Sequence, residues 1–181
     1  MSATVCFCHG RESGPWGTKI RRLALVAEQF GCRVISCDDR DTQDADERVR
    51  RLLARRDELG GPLILVGSSM GGYVAAVASA ELQPVGLFLL APAIGLPGYT
   101  VPAPAPATSR LTIVHGWDDD IVPTANVQAF AATQRAVPHL LPDGHILQHE
   151  LERIARLFAD FLADCLARRD GHPSRELLAA L

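Results

Sequence analysis

No apolar run in the chain approaches the roughly 20 residues that a membrane-spanning helix needs, so no spanning segment is expected. The first ten residues, MSATVCFCHG, lack a basic start, an apolar run and a small-residue cleavage site, and a cytoplasmic location is the expectation. Charge of one sign is not in excess either. The 18 Lys and Arg against 21 Asp and Glu leave a net charge of −3, which removes the electrostatic reason to expect nucleic acid or an anionic membrane as partner. There is no CxxC, so neither a zinc ribbon nor a redox pair is suggested. The five cysteines (Cys6, Cys8, Cys32, Cys37 and Cys165) are odd in number and follow no small-scaffold spacing. They are expected to be buried free thiols. No internal repeat and no linker divides the chain.

What is present suits one domain over 1–168 followed by a tail over 169–181, and 181 residues are enough to bury an adequate core. Short apolar or β-branched runs alternate with helical patterns. Strands are predicted at 3–8, 32–37, 63–67, 85–92, 111–116 and 136–141, and helices at 19–30, 44–59, 73–82, 124–134 and 147–168. Thr18 is the expected cap of the first helix. The charged stretch from 40 to 58 reads as the solvated face of the second. VGLFLLAP and LTIVHG are nearly continuous apolar runs, as parallel strands covered on both faces require. The expected fold is therefore α/β: a three-layer α/β/α sandwich around a mainly parallel, doubly wound, six-stranded sheet. The Pro/Ala segment GLPGYTVPAPAPATSR, 95–110, reads as a stiff connection rather than a folded lid.

In such a sheet, ligands meet the loops at the carboxyl ends of the strands. Three chemically loaded loops fall there: GSSMGG, GWDDDIVP and PDGHIL. In chain order they supply a serine, a carboxylate and a histidine, the components of nucleophilic acyl transfer. GSSMGG also has plainer readings, as a Gly-rich turn or as a phosphate-holding helix N-terminus. A serine on a sharp strand-to-helix bend crowds the backbone two residues away on each side. Centring the bend on Ser69 puts Gly67 and Gly71 at those places, whereas Ser68 would put Val66 and Met70 there, so Ser69 is the candidate nucleophile.

A hydroxyl needs a base. His145, after the Asp143-Gly144 turn signal, is the best placed of six histidines. His9 and His115 precede glycines at strand ends and are expected to make structural hydrogen bonds. His139 falls in a strand, His149 in a helix and His172 in the tail. Asp118, Asp119 and Asp120 compete for the acid, with Asp143 a weaker fourth. The expected oxyanion donors are two backbone N–H groups, of Met70 at the start of the helix after the serine and of Arg11 in the loop after the first strand.

With these four segments in order, the sequence resembles the α/β-hydrolase superfamily over nearly its whole length. CHGRESG looks like its oxyanion loop, GSSMGG like its nucleophile elbow, HGWDDDIVP like its acid loop of the form HGxxDxxVP, and DGH like its histidine loop. Laid on the acid-loop pattern, the acid falls on Asp119. Two departures stand out. The family's two further N-terminal strands are missing, and no lid domain is present. The resemblance implies a truncated, lidless fold and a serine esterase or thioesterase acting on small or accessible substrates through an acyl-enzyme, with no metal or cofactor. Trp16, Tyr99 and Trp117, in loops on the active edge, are candidates for a substrate wall, and equally for simple cover of the core. The rivals are a non-catalytic partner-binding protein on the same scaffold, a flavodoxin-like phosphate binder, and a zinc site from His139, His145 and His149, which a strand, a turn and a helix would have to share.

Overall fold

Six strands, all parallel, form a single sheet in the order β2-β1-β3-β4-β5-β6 in the computed structural model, which describes residues 2–108 and 110–170. They are β1 (Thr4–Cys8), β2 (Arg33–Ser36), β3 (Leu63–Ser68), β4 (Gly86–Leu90), β5 (Leu111–Gly116) and β6 (Pro138–Leu141). The helices are α1 (Thr18–Gln29), α2 (Ala45–Ala54), α3 (Met70–Leu82), α4 (Thr124–Gln134) and α5 (Leu151–Asp170). The chain steps outward from β1 to β2, then returns past β1 to place β3 on its other side. The β1/β3 boundary is thus the point where strand order reverses, and the crevice above it is where an open α/β sheet binds its ligand.

Strand alternation divides the core into two layers. Val5 and Phe7 of β1, Ile64 and Val66 of β3, and Phe88 and Leu90 of β4 face α1 and α5. Cys6 and Cys8, Leu65, and Leu87 and Leu89 face α2, α3 and α4. Phe158 of α5 sits 5.0 Å from Phe88 and 6.4 Å from Phe7, ring centre to ring centre, and anchors the first layer. On the other side α3 packs on the sheet with α2 against it. Its Ala75, Ala76 and Ala78 are buried, because small side chains let the helix approach the strands closely. All five cysteines are buried free thiols, as expected.

Several boundaries differ from the sequence reading. Gly17, not Thr18, precedes α1, and no side chain caps that helix; Thr18 is its first residue. Asp44 does cap α2, its carboxylate accepting from the Asp46 and Glu47 N–H groups. That helix ends at Ala54 rather than at 59, and 55–59 form tight turns. Helix α3 begins at Met70, three residues earlier than expected, so that both glycines lie inside its first turn. Helix α5 begins at Leu151, not 147, since 143–150 are tied into a loop by Asp143. The backbone of 169–170 continues α5, and the rest of the expected tail, 171–181, lies outside the described residues.

The segment after β4 carries no helix or strand across 91–108 and is fastened down rather than lid-like. Tyr99 packs on Tyr73 of α3 with ring centres 4.6 Å apart, and the Val101 N–H donates to the Tyr73 hydroxyl at 3.1 Å. Tyr99 is therefore part of the packing over α3, the plainer of the two readings open for it. Trp16 and Trp117 stay exposed. Among the described residues no helix is long and apolar enough to cross a membrane.

Candidate active site

Ser69 sits between β3 and α3 with φ 54° and ψ −120°, a conformation costly for any residue with a Cβ. Backbone hydrogen bonds hold it there, the shortest three of them reaching Leu90, Gly72 and Ala93. The Ser69 N–H donates to Leu90 O at 2.9 Å, and the Ser69 carbonyl accepts from Gly72 N–H at 2.9 Å and from Ala93 N–H at 3.0 Å. The bend is thus stapled to the end of β4. Its side chain does not cap α3. Ser68 is the buried last residue of β3.

The flanking glycines have a steric reason to be there. A Cβ on Gly71 would lie 2.0 Å from the Cys8 carbonyl oxygen, and one on Gly67 would lie 2.3 Å from the Gly71 carbonyl oxygen. Both obstacles are backbone, which cannot swing away. Gly71→Ala is expected to cost about 3 kcal/mol or more, at the upper end for overpacking. Gly60→Ala, whose added methyl would be 4.0 Å from its nearest neighbour, is expected to cost far less. Denaturant titration of the two variants checks this.

The imidazole of His145 bridges the other two candidates. Its Nε2 lies 2.9 Å from Ser69 Oγ and its Nδ1 lies 2.8 Å from Asp119 Oδ2. A carboxylate facing Nδ1 draws the ring proton to that nitrogen and leaves Nε2 free to accept from the serine hydroxyl. Asp119 is held from both sides. Its Oδ1 accepts from the N–H groups of Ile121 at 2.9 Å and Val122 at 2.8 Å, and its side chain is fully buried. Asp118 and Asp120, by contrast, are exposed.

His115 supports this carboxylate from β5. Its Nε2 donates to the Val122 carbonyl at 3.0 Å and lies 3.5 Å from Asp119 Oδ2. Burial pushes the His115 pKa below its ordinary value, against the opposing pull of Asp119. Its Nδ1 is buried with no partner. The acid and histidine loops are packed backbone to backbone. A Cβ on Gly116 would lie 2.2 Å from Asp143 O, while Trp117 N–H donates to Leu141 O and Asp118 N–H to Asp143 O.

Asp143, the fourth candidate acid, braces the histidine loop instead. It accepts from the N–H groups of Gly144, His149 and Glu150 and from the His149 ring. Burial works against its charged form, but these hydrogen bonds outweigh burial and hold its pKa below the usual carboxylate value. His149 lies in this loop just before α5, not in a helix.

Lys19 ties α1 to the same loop by donating from Nζ to the Ile146 carbonyl. Burial pushes its pKa down to about 8 from 10.5, against the pull of Asp143 and Asp119. The folded chain therefore releases this proton before the unfolded chain does, so the group's contribution to stability rises with pH between those values. Thermal melts of wild type and Lys19→Met should show wild type gaining on the variant between pH 8 and 10.5. A constant difference across that window would mean that the ammonium is not desolvated.

Met70 opens α3, so its N–H lies at the helix N-terminus, and Arg11 follows Gly10 in the loop after β1. A Cβ on Gly10 would be only 3.4 Å from Ser69 Cβ, which brings the first loop against the serine. The two depressions found among the described residues lie away from this cluster. A depression of about 610 Å³ lined by Arg110, His139, Asp160 and Phe161 lies beside the start of β5, and another lies among Asp38, Arg40, Asp41 and Arg51. Neither is lined by Ser69 or His145. Ser69 is half-buried and the His145 side chain 13% exposed, so the cluster opens directly to solvent. Trp16 and Trp117, 47% and 55% exposed, stand on this edge with Ile121 and Ile146.

The alpha/beta hydrolase family matches residues 7–180. The chain belongs to that family. A Xanthomonas campestris pv. campestris protein described as a hydrolase of the alpha/beta superfamily is 34% identical, with a TM-score of 0.79 over 90% of this chain and 99% of the other. Est1E from Butyrivibrio proteoclasticus shares the fold at 16% identity and TM-score 0.79, over 92% of this chain and 89% of its own. A second Xanthomonas campestris protein, an α/β serine hydrolase without a lid, shares it at 20% identity and TM-score 0.70, over 92% and 81%. No curated protein matches the chain. Family membership and these neighbours support a hydrolase, with the lidless architecture that the Pro/Ala segment led one to expect. Among the described residues no group of three or more His, Cys, Asp or Glu is placed to hold a metal ion, and His139, His145 and His149 do not gather.

One buried polar side chain beside the site escapes the sequence reading. Arg48, counted with the solvated face of α2, is 2% exposed and lies beneath the loop after β1. The helical period carried the signal: Arg48 adjoins Val49 and lies four residues before Leu52, on the edge of the buried stripe.

Proposed function

We propose that this family member is a serine hydrolase that cleaves ester or thioester bonds of small or accessible substrates through an acyl-enzyme. The observation that carries the proposal is the continuous relay from Asp119 Oδ2 through the two ring nitrogens of His145 to Ser69 Oγ, at 2.8 and 2.9 Å. Ser69 Oγ attacks the carbonyl carbon as His145 Nε2 takes its proton. The tetrahedral oxyanion is met by the N–H groups of Met70 and Arg11, with the α3 dipole behind the first. Collapse expels the alcohol or thiol, which receives the proton from His145. Water, deprotonated by the same nitrogen, then attacks the acyl carbon and restores the serine. Asp119 keeps the imidazole in the one orientation that serves both steps.

The open approach to Ser69 favours accessible substrates over long lipids, because Ser69 and His145 line neither depression found among the described residues. The exposed Trp16 and Trp117 offer apolar surface beside the reacting carbonyl. A panel of nitrophenyl esters and acyl-thioesters of increasing chain length tests this reading. Turnover with an initial burst of leaving group and a preference for short acyl groups is the expected result. Absence of turnover across the whole panel contradicts it.

A further inference from the structure

The oxyanion donor assigned to Arg11 depends on how the peptide before it is turned, and two buried side chains grip that peptide from behind. His9 Nε2 accepts the Asp39 N–H at 3.1 Å, so the ring proton sits on Nδ1, which donates to Gly10 O at 2.7 Å. The second grip comes from α2. Arg48 Nη1 lies 3.2 Å from His9 O and 3.4 Å from Gly10 O, while Nε and Nη2 donate to Thr42 O at 3.0 and 2.7 Å. The 3.5 Å approach of Nη1 to His9 Nδ1 sets one donor beside another and is not a hydrogen bond. These bonds of Arg48 all go to backbone carbonyls.

A buried guanidinium is an expensive way to fill space, since an apolar side chain of similar length would do so without desolvating a charge. What it adds is direction. The peptide is planar and trans, so its C=O and N–H point opposite ways. With Gly10 O drawn toward His9 Nδ1, Arg48 Nη1 and, at 3.5 Å, Ser13 Oγ, the Arg11 N–H is turned to the other side. A cation bound to the carbonyl also polarises the peptide and makes that N–H a better donor.

We propose that Arg48 is a positioning residue: through the His9 and Gly10 carbonyls its guanidinium fixes the Gly10–Arg11 peptide with the N–H aimed at the oxyanion formed on Ser69. This rests on the acyl-enzyme reading above. Removing one oxyanion donor outright costs about 10²–10³ in kcat, and misaiming one costs less. Arg48→Met should therefore lower kcat for an activated ester by about 10- to 100-fold with KM nearly unchanged. Affinity for a trifluoromethyl ketone, which forms a tetrahedral oxyanion on the serine, should weaken by a similar factor. Arg48→Lys retains one cationic donor and should recover part of both losses.

A purely structural role would instead reduce the fraction of active protein or raise KM, with the remaining sites keeping wild-type kcat and ketone affinity. That pattern, or a fully active Arg48→Met, overturns the proposal. Should Arg48→Met fail to fold, Arg48→Lys carries the test alone, and unchanged kcat and ketone affinity overturn it equally. Ser69→Ala assayed in parallel separates the two levels. An inactive Ser69→Ala beside a fully active Arg48→Met removes only the role of Arg48. An active Ser69→Ala removes the serine mechanism and this proposal with it.

Discussion

Ser69→Ala should lower turnover of an activated short-chain ester by about four orders of magnitude or more, as expected when a covalent nucleophile is removed. Thermal unfolding should scarcely change. The two expectations belong together because of how the residue is held. The hydroxyl caps no helix, and its hydrogen bond is to His145 alone among the described partners. The strained backbone is maintained by the main-chain bonds to Leu90, Gly72 and Ala93, which alanine leaves in place. Alanine at φ 54° is no more strained than serine. The variant should therefore be a well-folded protein without its nucleophile. Wild-type activity in Ser69→Ala would remove the mechanism altogether, and loss of activity together with loss of fold would mean that the hydroxyl has a structural role.

Asp119→Asn is expected to lower kcat by about 10³–10⁴ through the tautomer of His145. One carboxylate oxygen accepts two backbone N–H groups and the other faces His145 Nδ1. Asparagine has one acceptor to share between these places. Keeping its oxygen on the Ile121 and Val122 N–H groups turns its amide N–H₂ toward His145. The ring must then accept at Nδ1 and carry its proton on Nε2, where it faces Ser69 and can no longer take the serine proton. The same amide would also confront the Nε2–H of His115, 3.5 Å from the present Oδ2. Asp118→Asn and Asp120→Asn, on exposed side chains, should stay near wild type. A large loss in either of these with an active Asp119→Asn would move the acid to the neighbouring position.

The strained turn at Ser69, the proposed nucleophile, was legible because its constraint is written in residue type. Only glycine fits 2.0 Å from Cys8 O or 2.3 Å from Gly71 O, so the glycine bracket marks Ser69 and excludes Ser68. His145 was legible from its place after a strand and a turn signal. The carboxylate that meets His145 was not legible from the residues alone. What selects Asp119 is a pair of backbone N–H groups two and three positions ahead, and the main chain leaves no mark in composition; the choice came from the family pattern. The same blindness hid Arg48, whose partners are all carbonyls. A charged residue in a charged run reads as solvated unless its helical phase is weighed against its chemistry.

The layers of the fold were readable from alternating apolar runs, while several helix starts were not. Glycine usually breaks a helix, so Gly71 and Gly72 pointed to a later beginning for α3. In the structure they let the first turn press against β1 and Pro92. The two readings of Tyr99 stayed open for a related reason. An aromatic in a proline-rich loop gives no sign that a buried tyrosine, Tyr73, waits beneath it.

The central claim is that His145 makes the Ser69 hydroxyl nucleophilic. Treating the folded protein with a fluorophosphonate and locating the adduct by peptide mass spectrometry tests this most directly, because the reagent reacts rapidly only with an activated serine. A single adduct on Ser69, lost when His145 is replaced by alanine in a folded protein, is the predicted result. No adduct, an adduct on another serine, or undiminished labelling of the His145→Ala variant would contradict it.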